Sequence, residues 1–137
     1  PRNKGALLVG LNQKRDDRLD LLRLYMGHEF DIHQPVPFDL VLIRTDDVAT
    51  LKNVQKLNAW TQKHLKDFKS SGELAGHLML RSCPTMDLLA YAYIAGDKPL
   101  ADWLIQQGLK PDAVYPCEFG RTKWAVSAKE IRELLTP

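Results

Sequence analysis

The stretch LLAYAYIAGDKPLADWLIQQGLKPD, Leu88 to Asp112, carries the clearest pattern in the chain, and its reading sets the reading of the rest. Asp97 suits a helix N-cap, and Pro99 falls in the first turn, where its missing N–H costs nothing. Leu100, Trp103 and Leu104 then recur at helical spacing up to Gly108. Just upstream, TMDLLAYAYIAG gives a shorter helix with Leu89 and Ala92 on one face and Gly96 free to take positive φ where the chain turns. Gly108 is expected in the left-handed region at the end of the second helix. The stretch is therefore helix, tight turn, helix.

The same organisation extends outward. GALLVGLNQ reads as a short helix, KRDD as a polar turn, and RLDLLRLYM as a second helix that aligns Leu19, Leu22 and Met26. GHEFDIHQPVP leaves that helix in extended form, since proline biases the residue before it away from αR. FDLVLIRTDD is again short and apolar and leads into a long amphipathic stretch from Val48 to Phe68. Ser70 with Glu73, and Ser127 with Glu130, have capping-box spacing. The second box launches AKEIRELL, in which Ile131, Leu134 and Leu135 form the expected buried stripe. Strand-type alternation extends no further than RTKWAV, a short extended segment at most. The expected fold class is all-α, with Leu22, Leu89, Ala92, Leu104 and Leu134 buried and Trp60 and Trp103 in the core.

Composition bounds the function. The 137 residues, 45% hydrophobic and 26% charged, match an ordinary globular protein of one domain. No apolar run approaches the roughly 20 residues of a membrane span. The apolar part of PRNKGALLVGL is too short for a secretory signal. A net charge of +2 gives no polybasic surface, so nucleic acid is not an expected partner. Cys83 and Cys117 lie outside any CxxC pairing; two reduced thiols in a cytoplasmic setting are expected, with a single disulfide as the alternative.

Candidate chemistry is sparse. His28, His33, His64 and His77 lack HxxxH or HExxH spacing and read as surface or turn residues, so no metal is expected. Asp16–Asp17 and Asp46–Asp47 precede the two longer predicted helices, where aspartate caps N–H groups and meets the positive end of the helix dipole. GALLVG lacks the lysine and Ser/Thr of a phosphate loop, and Lys52, Lys56, Lys63, Lys66 and Lys69 read as a solvated helix face. No cofactor and no catalysis are expected. The aromatics say more: Tyr115, Phe119 and Trp124 crowd a loop with Pro116 and Gly120, beside Arg121 and Lys123. Such a loop has the ingredients of a protein-binding hot spot, or else it closes the end of a helical stack.

Repetition of short helix, turn, longer helix and extended loop leads to a family. Leu89, Ala92, Gly96, Leu104, Ile105 and Gly108 fall where an ankyrin repeat places its leucine, alanine, glycine, leucine pair and closing glycine. LRLYMGHEFDIHQ is similar to that family's LLxxGADVNA, with Asp31 at the aspartate position, and FGRTKWA resembles DGRTPLHLA at Gly120, Arg121 and Thr122. The TPLH tetrad is nowhere intact, and the middle unit is longer than the family norm. The resemblance implies about four stacked units (roughly 1–34, 35–69, 70–112 and 113–137) that recognise another protein without catalysis. Carried over by position, the recognition surface comprises Asp39, Arg44, Met86, Leu88, Arg121 and Lys123, with Ile32 and His33 from the extended loop. Tyr115 and Phe119 join it from the aromatic loop. The alternative it implies is the substrate-recruiting part of a larger bacterial effector enzyme acting in a host cytosol.

Overall fold

Leu88–Asp112 does fold as the expected helical hairpin, and the rest of the molecule is arranged around it. The structure, a computed structural model, describes residues 10–11, 13–27, 31–34, 36–37, 47–65 and 78–136. In chain order the elements are α1 (Arg18–Met26), β1 (Val36–Pro37), α2 (Val48–His64), α3 (Leu78–Ser82), β2 (Thr85–Met86), α4 (Leu88–Ala95), α5 (Lys98–Gln106), β3 (Val114–Phe119), β4 (Thr122–Ser127) and α6 (Ala128–Leu135). β1 pairs antiparallel with β2, and β3 with β4, as two separate two-stranded sheets.

The core forms on α4. Seven of its residues are buried, from Leu88 round to Ala95, so it is apolar on every side rather than along one stripe. A helix of that kind must be covered all round. α5, α6 and α2 all pack against it. One cluster of buried side chains runs from Leu11 through Leu22, Val54, Leu89 and Leu104 to Ile131. Among the described residues, no helix is long and apolar enough to cross a membrane.

Local signals place the helix ends. Asp47, Asp87, Asp97 and Ser127 each accept a backbone N–H three residues on, at Thr50, Ala90, Leu100 and Glu130. Asp17 stands at the N-cap of α1 but makes no capping bond; its carboxylate pairs with Arg15 at 2.8 Å. Gly96 (φ +66°) and Gly108 (φ +99°) both take positive φ after their helices. Ser70, Glu73, Asp46 and most of GALLVGLNQ lie outside the described residues; Gly10 and Leu11 are helical.

Four expectations are corrected. The chain is mixed α and β, not an all-α solenoid, because residues 114–127 form a β-hairpin in place of a fourth helical unit. Its two-residue turn is Gly120–Arg121; Gly120 has φ +60° and Arg121 is not in the positive-φ region, the pattern of a type II′ turn with glycine first. Second, Cys83 and Cys117 are joined as a disulfide with Cα atoms 4.5 Å apart, so they are not reduced thiols. Third, Leu134 is 38% exposed; the inward face of α6 is Ala128 and Ile131, with Leu135 half-buried one turn on. Fourth, α1 buries Leu22 and Tyr25 rather than Met26, because i and i+3 face the core here and i+4 turns to solvent.

Leu104 is fully buried between α5 and the central cluster, and Leu104→Ala should cost about 2–5 kcal/mol in chemical denaturation. Asp47 is a second test. The Thr50 hydroxyl first, then the Thr50 N–H and Lys14, hold its carboxyl below the ordinary value of 3.8. A depressed carboxyl contributes stability that is full above its unfolded value and is lost as pH falls through the folded one. Asp47→Asn should therefore flatten the acid limb of stability against pH, measured by urea denaturation across the acid range.

Candidate functional site

The hairpin is held at two points. The disulfide ties Cys117, in the middle of β3, to Cys83 just after α3, across 34 residues of sequence. Nearer the base of the hairpin, the Tyr115 hydroxyl donates to Asp87 Oδ2 at 2.8 Å, while Asp87 Oδ1 caps α4 through the Ala90 N–H at 3.0 Å. Asp87 is 3% exposed, so each of these donors compensates a carboxylate that water does not reach. Burial first, and then the hydrogen bond to Asp87 and its charge, push the Tyr115 phenol above its ordinary value of 10.0.

Strand register sorts the hairpin side chains. Cys117 faces Trp124 and Tyr115 faces Val126 on the side toward the core, with Phe119 half-buried at the tip. On the other face Glu118 lies opposite Lys123 and Pro116 opposite Ala125, all exposed. Tyr115, Phe119 and Trp124 are thus strand residues on an inward face, not a loop cluster.

Between the hairpin and the segment that leaves α3 is a cleft of about 720 Å³. Arg81 and Ser82 line one wall, Lys123, Glu118 and Trp124 the other, with Cys117 of the disulfide between them. Arg81 and Lys123 are exposed, and among the described residues neither is in an ion pair. Ser82 is 2% exposed, and its hydroxyl has no hydrogen-bond partner among the described residues. An unmet buried hydroxyl typically costs about 1–3 kcal/mol.

A second, smaller cleft of about 320 Å³ lies between α4, α5 and α6. Its charges are already spent. Lys98 pairs with Asp102 at 2.9 Å, Asp97 with Arg18 at 2.6 Å, and the Arg132 guanidinium stacks over Tyr93 at 5.6 Å. No group of three or more His, Cys, Asp or Glu able to hold a metal occurs among the described residues.

The residues taken from the ankyrin resemblance divide sharply. Ile32, Met86 and Leu88 are at most 1% exposed and belong to the core, which corrects their placement on a recognition surface. Met86 is drawn in by the β1–β2 pairing and Leu88 by the all-round apolar character of α4. His33 is exposed in a turn whose Asp31 carboxylate accepts the His33 N–H at 2.9 Å. Asp39 and Arg44 lie outside the described residues. Arg121 and Lys123 are exposed on the hairpin, and Lys123 reaches the cleft. Sequence reasoning missed Arg81 and Ser82, which carry no motif; the disulfide brings α3 against β3. No protein-family model, characterised protein or solved structure matches this chain.

The Tyr115–Asp87 bond yields a pH-dependent test. A hydrogen bond to a charged acceptor is worth about 1.5–3 kcal/mol, so Tyr115→Phe should lose about that much near neutrality. Because folding raises the phenol value, the contribution is complete below the unfolded value of 10.0 and fades as pH rises toward the folded one. Denaturation midpoints of the two proteins should converge in strong alkali.

Proposed function

We propose that this chain is a non-catalytic recognition module that holds another protein at the cleft between α3 and the β3–β4 hairpin. The observation that carries the reading is a cleft with an indole in its wall and two cations, Arg81 and Lys123, that make no ion pair among the described residues. Tryptophan and arginine are the residues on which binding energy concentrates at protein interfaces. Unspent charge at the rim also serves partner selection and speed of encounter. A disulfide at the foot of the cleft fits an oxidising compartment better than the cytoplasm.

The test is capture from an extract of the source organism, quantified by mass spectrometry, with variants that leave the fold alone. Arg81→Glu and Lys123→Glu should lose the partner that the wild type retains. Lys56→Glu, on the exposed face of α2, should retain it. All three should melt with the wild type, because exposed substitutions of this kind change stability by no more than about 0.5 kcal/mol. Equal loss in all three variants, or none in the first two, would place recognition elsewhere.

A further inference from the structure

Resting on the reading of this chain as a recognition module, we infer that the outer edge of β4 takes an extended, acidic segment of the partner protein as an added antiparallel strand. The hydrogen bonding of the hairpin itself says which groups are open. A two-residue turn makes the pair that flanks it, Phe119 and Thr122, a hydrogen-bonded pair, and bonded and non-bonded pairs alternate from there. Cys117 with Trp124 and Tyr115 with Val126 are therefore bonded, whereas Glu118 with Lys123 and Pro116 with Ala125 are not. Residues of the second kind turn their N–H and C=O away from the neighbouring strand. Pro116 fits this phase, since a proline at a bonded position would remove a ladder bond.

The two edges of the hairpin are thus unlike. On β3, Pro116 has no N–H to offer, and α3 packs against the strand beside the disulfide. On β4, Lys123 and Ala125 each turn an N–H and a C=O outward, and among the described residues no backbone bond uses them. Both residues are exposed, and the principal neighbours of β4 are β3 and α6, its own continuation. An open edge of this kind is a template for a further strand. Its side chains say what that strand carries. Lys123 makes no ion pair among the described residues, and Arg121 in the adjoining turn is exposed, so the residue that comes opposite Lys123 is a carboxylate. Glu118 lies on the other side of Lys123, one strand removed from the newcomer. Ala125 is small, which leaves room opposite it for a β-branched side chain. Read in antiparallel sense, the segment is β-branched, then any residue, then acidic.

The experiment is an amide chemical-shift titration of the oxidised, full chain with acetyl-Thr-Val-Thr-Glu-Thr-amide, whose valine falls opposite Ala125 and whose glutamate falls opposite Lys123. Saturable shifts should centre on the Lys123 and Ala125 amides, and both should exchange with solvent more slowly when the probe is bound. N-methylation of the probe's valine removes a donor that faces β4 and should abolish binding, whereas N-methylation of its central threonine, whose N–H faces away, should be tolerated. A probe with glutamine in place of glutamate should bind about threefold more weakly, the scale of an opposite-charge cross-strand pair. Ala125→Pro removes an outward N–H and no bond of the β3–β4 ladder, so it should abolish binding while the rest of the hairpin keeps its shifts. If that variant does not fold, the two N-methyl probes decide on the wild type. Absence of saturable shifts, or equal binding of the two N-methyl probes, would overturn strand addition. Equal binding of the glutamyl and glutaminyl probes would overturn the acidic assignment. Concentration-dependent dimerisation of the wild type that Ala125→Pro abolishes would give the edge to a second copy of this chain instead. If capture depends on Arg81 and Lys123 while no probe binds, recognition at the cleft stands and the added strand is wrong. If the probe pairs as described and capture ignores both residues, the strand site stands and the cleft reading falls.

Discussion

The carboxylate of Asp97 is buried at the start of α5, and a carboxylate in that position has to be both hydrogen-bonded and neutralised. Its side chain is 2% exposed. Oδ1 accepts the Leu100 N–H at 3.3 Å, and Arg18 closes a two-pronged pair with Nε on Oδ2 at 2.6 Å and Nη2 on Oδ1 at 2.7 Å. Arg18 Nη1 meanwhile donates to the Arg15 carbonyl at 2.8 Å. The hydrogen bond to Asp97, more than any other influence, raises the Arg18 pKa above its usual range. Removing one partner of such a pair strands the other, which is why broken buried pairs cost about 3–5 kcal/mol even where the intact pair stabilises little. The pair thus fixes the docking of α1 on the α4–α5 hairpin, between residues 79 apart in sequence.

The device recurs. Asp87 caps α4 and accepts from Tyr115, 28 residues away. Asp47 caps α2 and accepts from Lys14 at 3.2 Å, 33 residues away. Each cap uses one bond to finish a helix locally and another to brace that helix against a distant element. Aspartate suits both tasks, since its short side chain presents two acceptor oxygens in a fixed relation to its own backbone. In a protein of this size the braces and the single disulfide orient short elements that have little area with which to orient themselves.

The candidate cleft exists because of this bracing. Tyr115–Asp87 and Cys117–Cys83 bring one face of the hairpin against α3 and α4 and leave Pro116, Glu118 and Lys123 facing outward. In the smaller cleft Lys98 answers Asp102 and Arg18 answers Asp97, whereas Arg81 and Lys123 make no ion pair among the described residues. A cation left without a partner on a rigid wall is unremarkable alone. These two line one cleft together with the Trp124 indole and Cys117 of the disulfide.

By itself the sequence determined what depends on neighbours a few residues apart. The caps at Asp47, Asp97 and Ser127, the turns at Gly96 and Gly108, and the courses of α1, α2, α5 and α6 follow from backbone N–H groups, helical spacing and positive φ, all local. The hairpin was legible too: Gly120–Arg121 sits between runs rich in aromatic and β-branched residues, but Pro116 and the likeness to an ankyrin motif hid it. Proline is tolerated there because in a two-stranded sheet every strand is an edge. Tertiary structure alone decided which cysteine state holds, which side of α6 faces inward, that Met86 and Leu88 are core, and that Arg81 and Lys123 line one cleft. Each of these is a pairing between segments far apart in the chain, and periodicity within one segment carries no record of what another will bury against it.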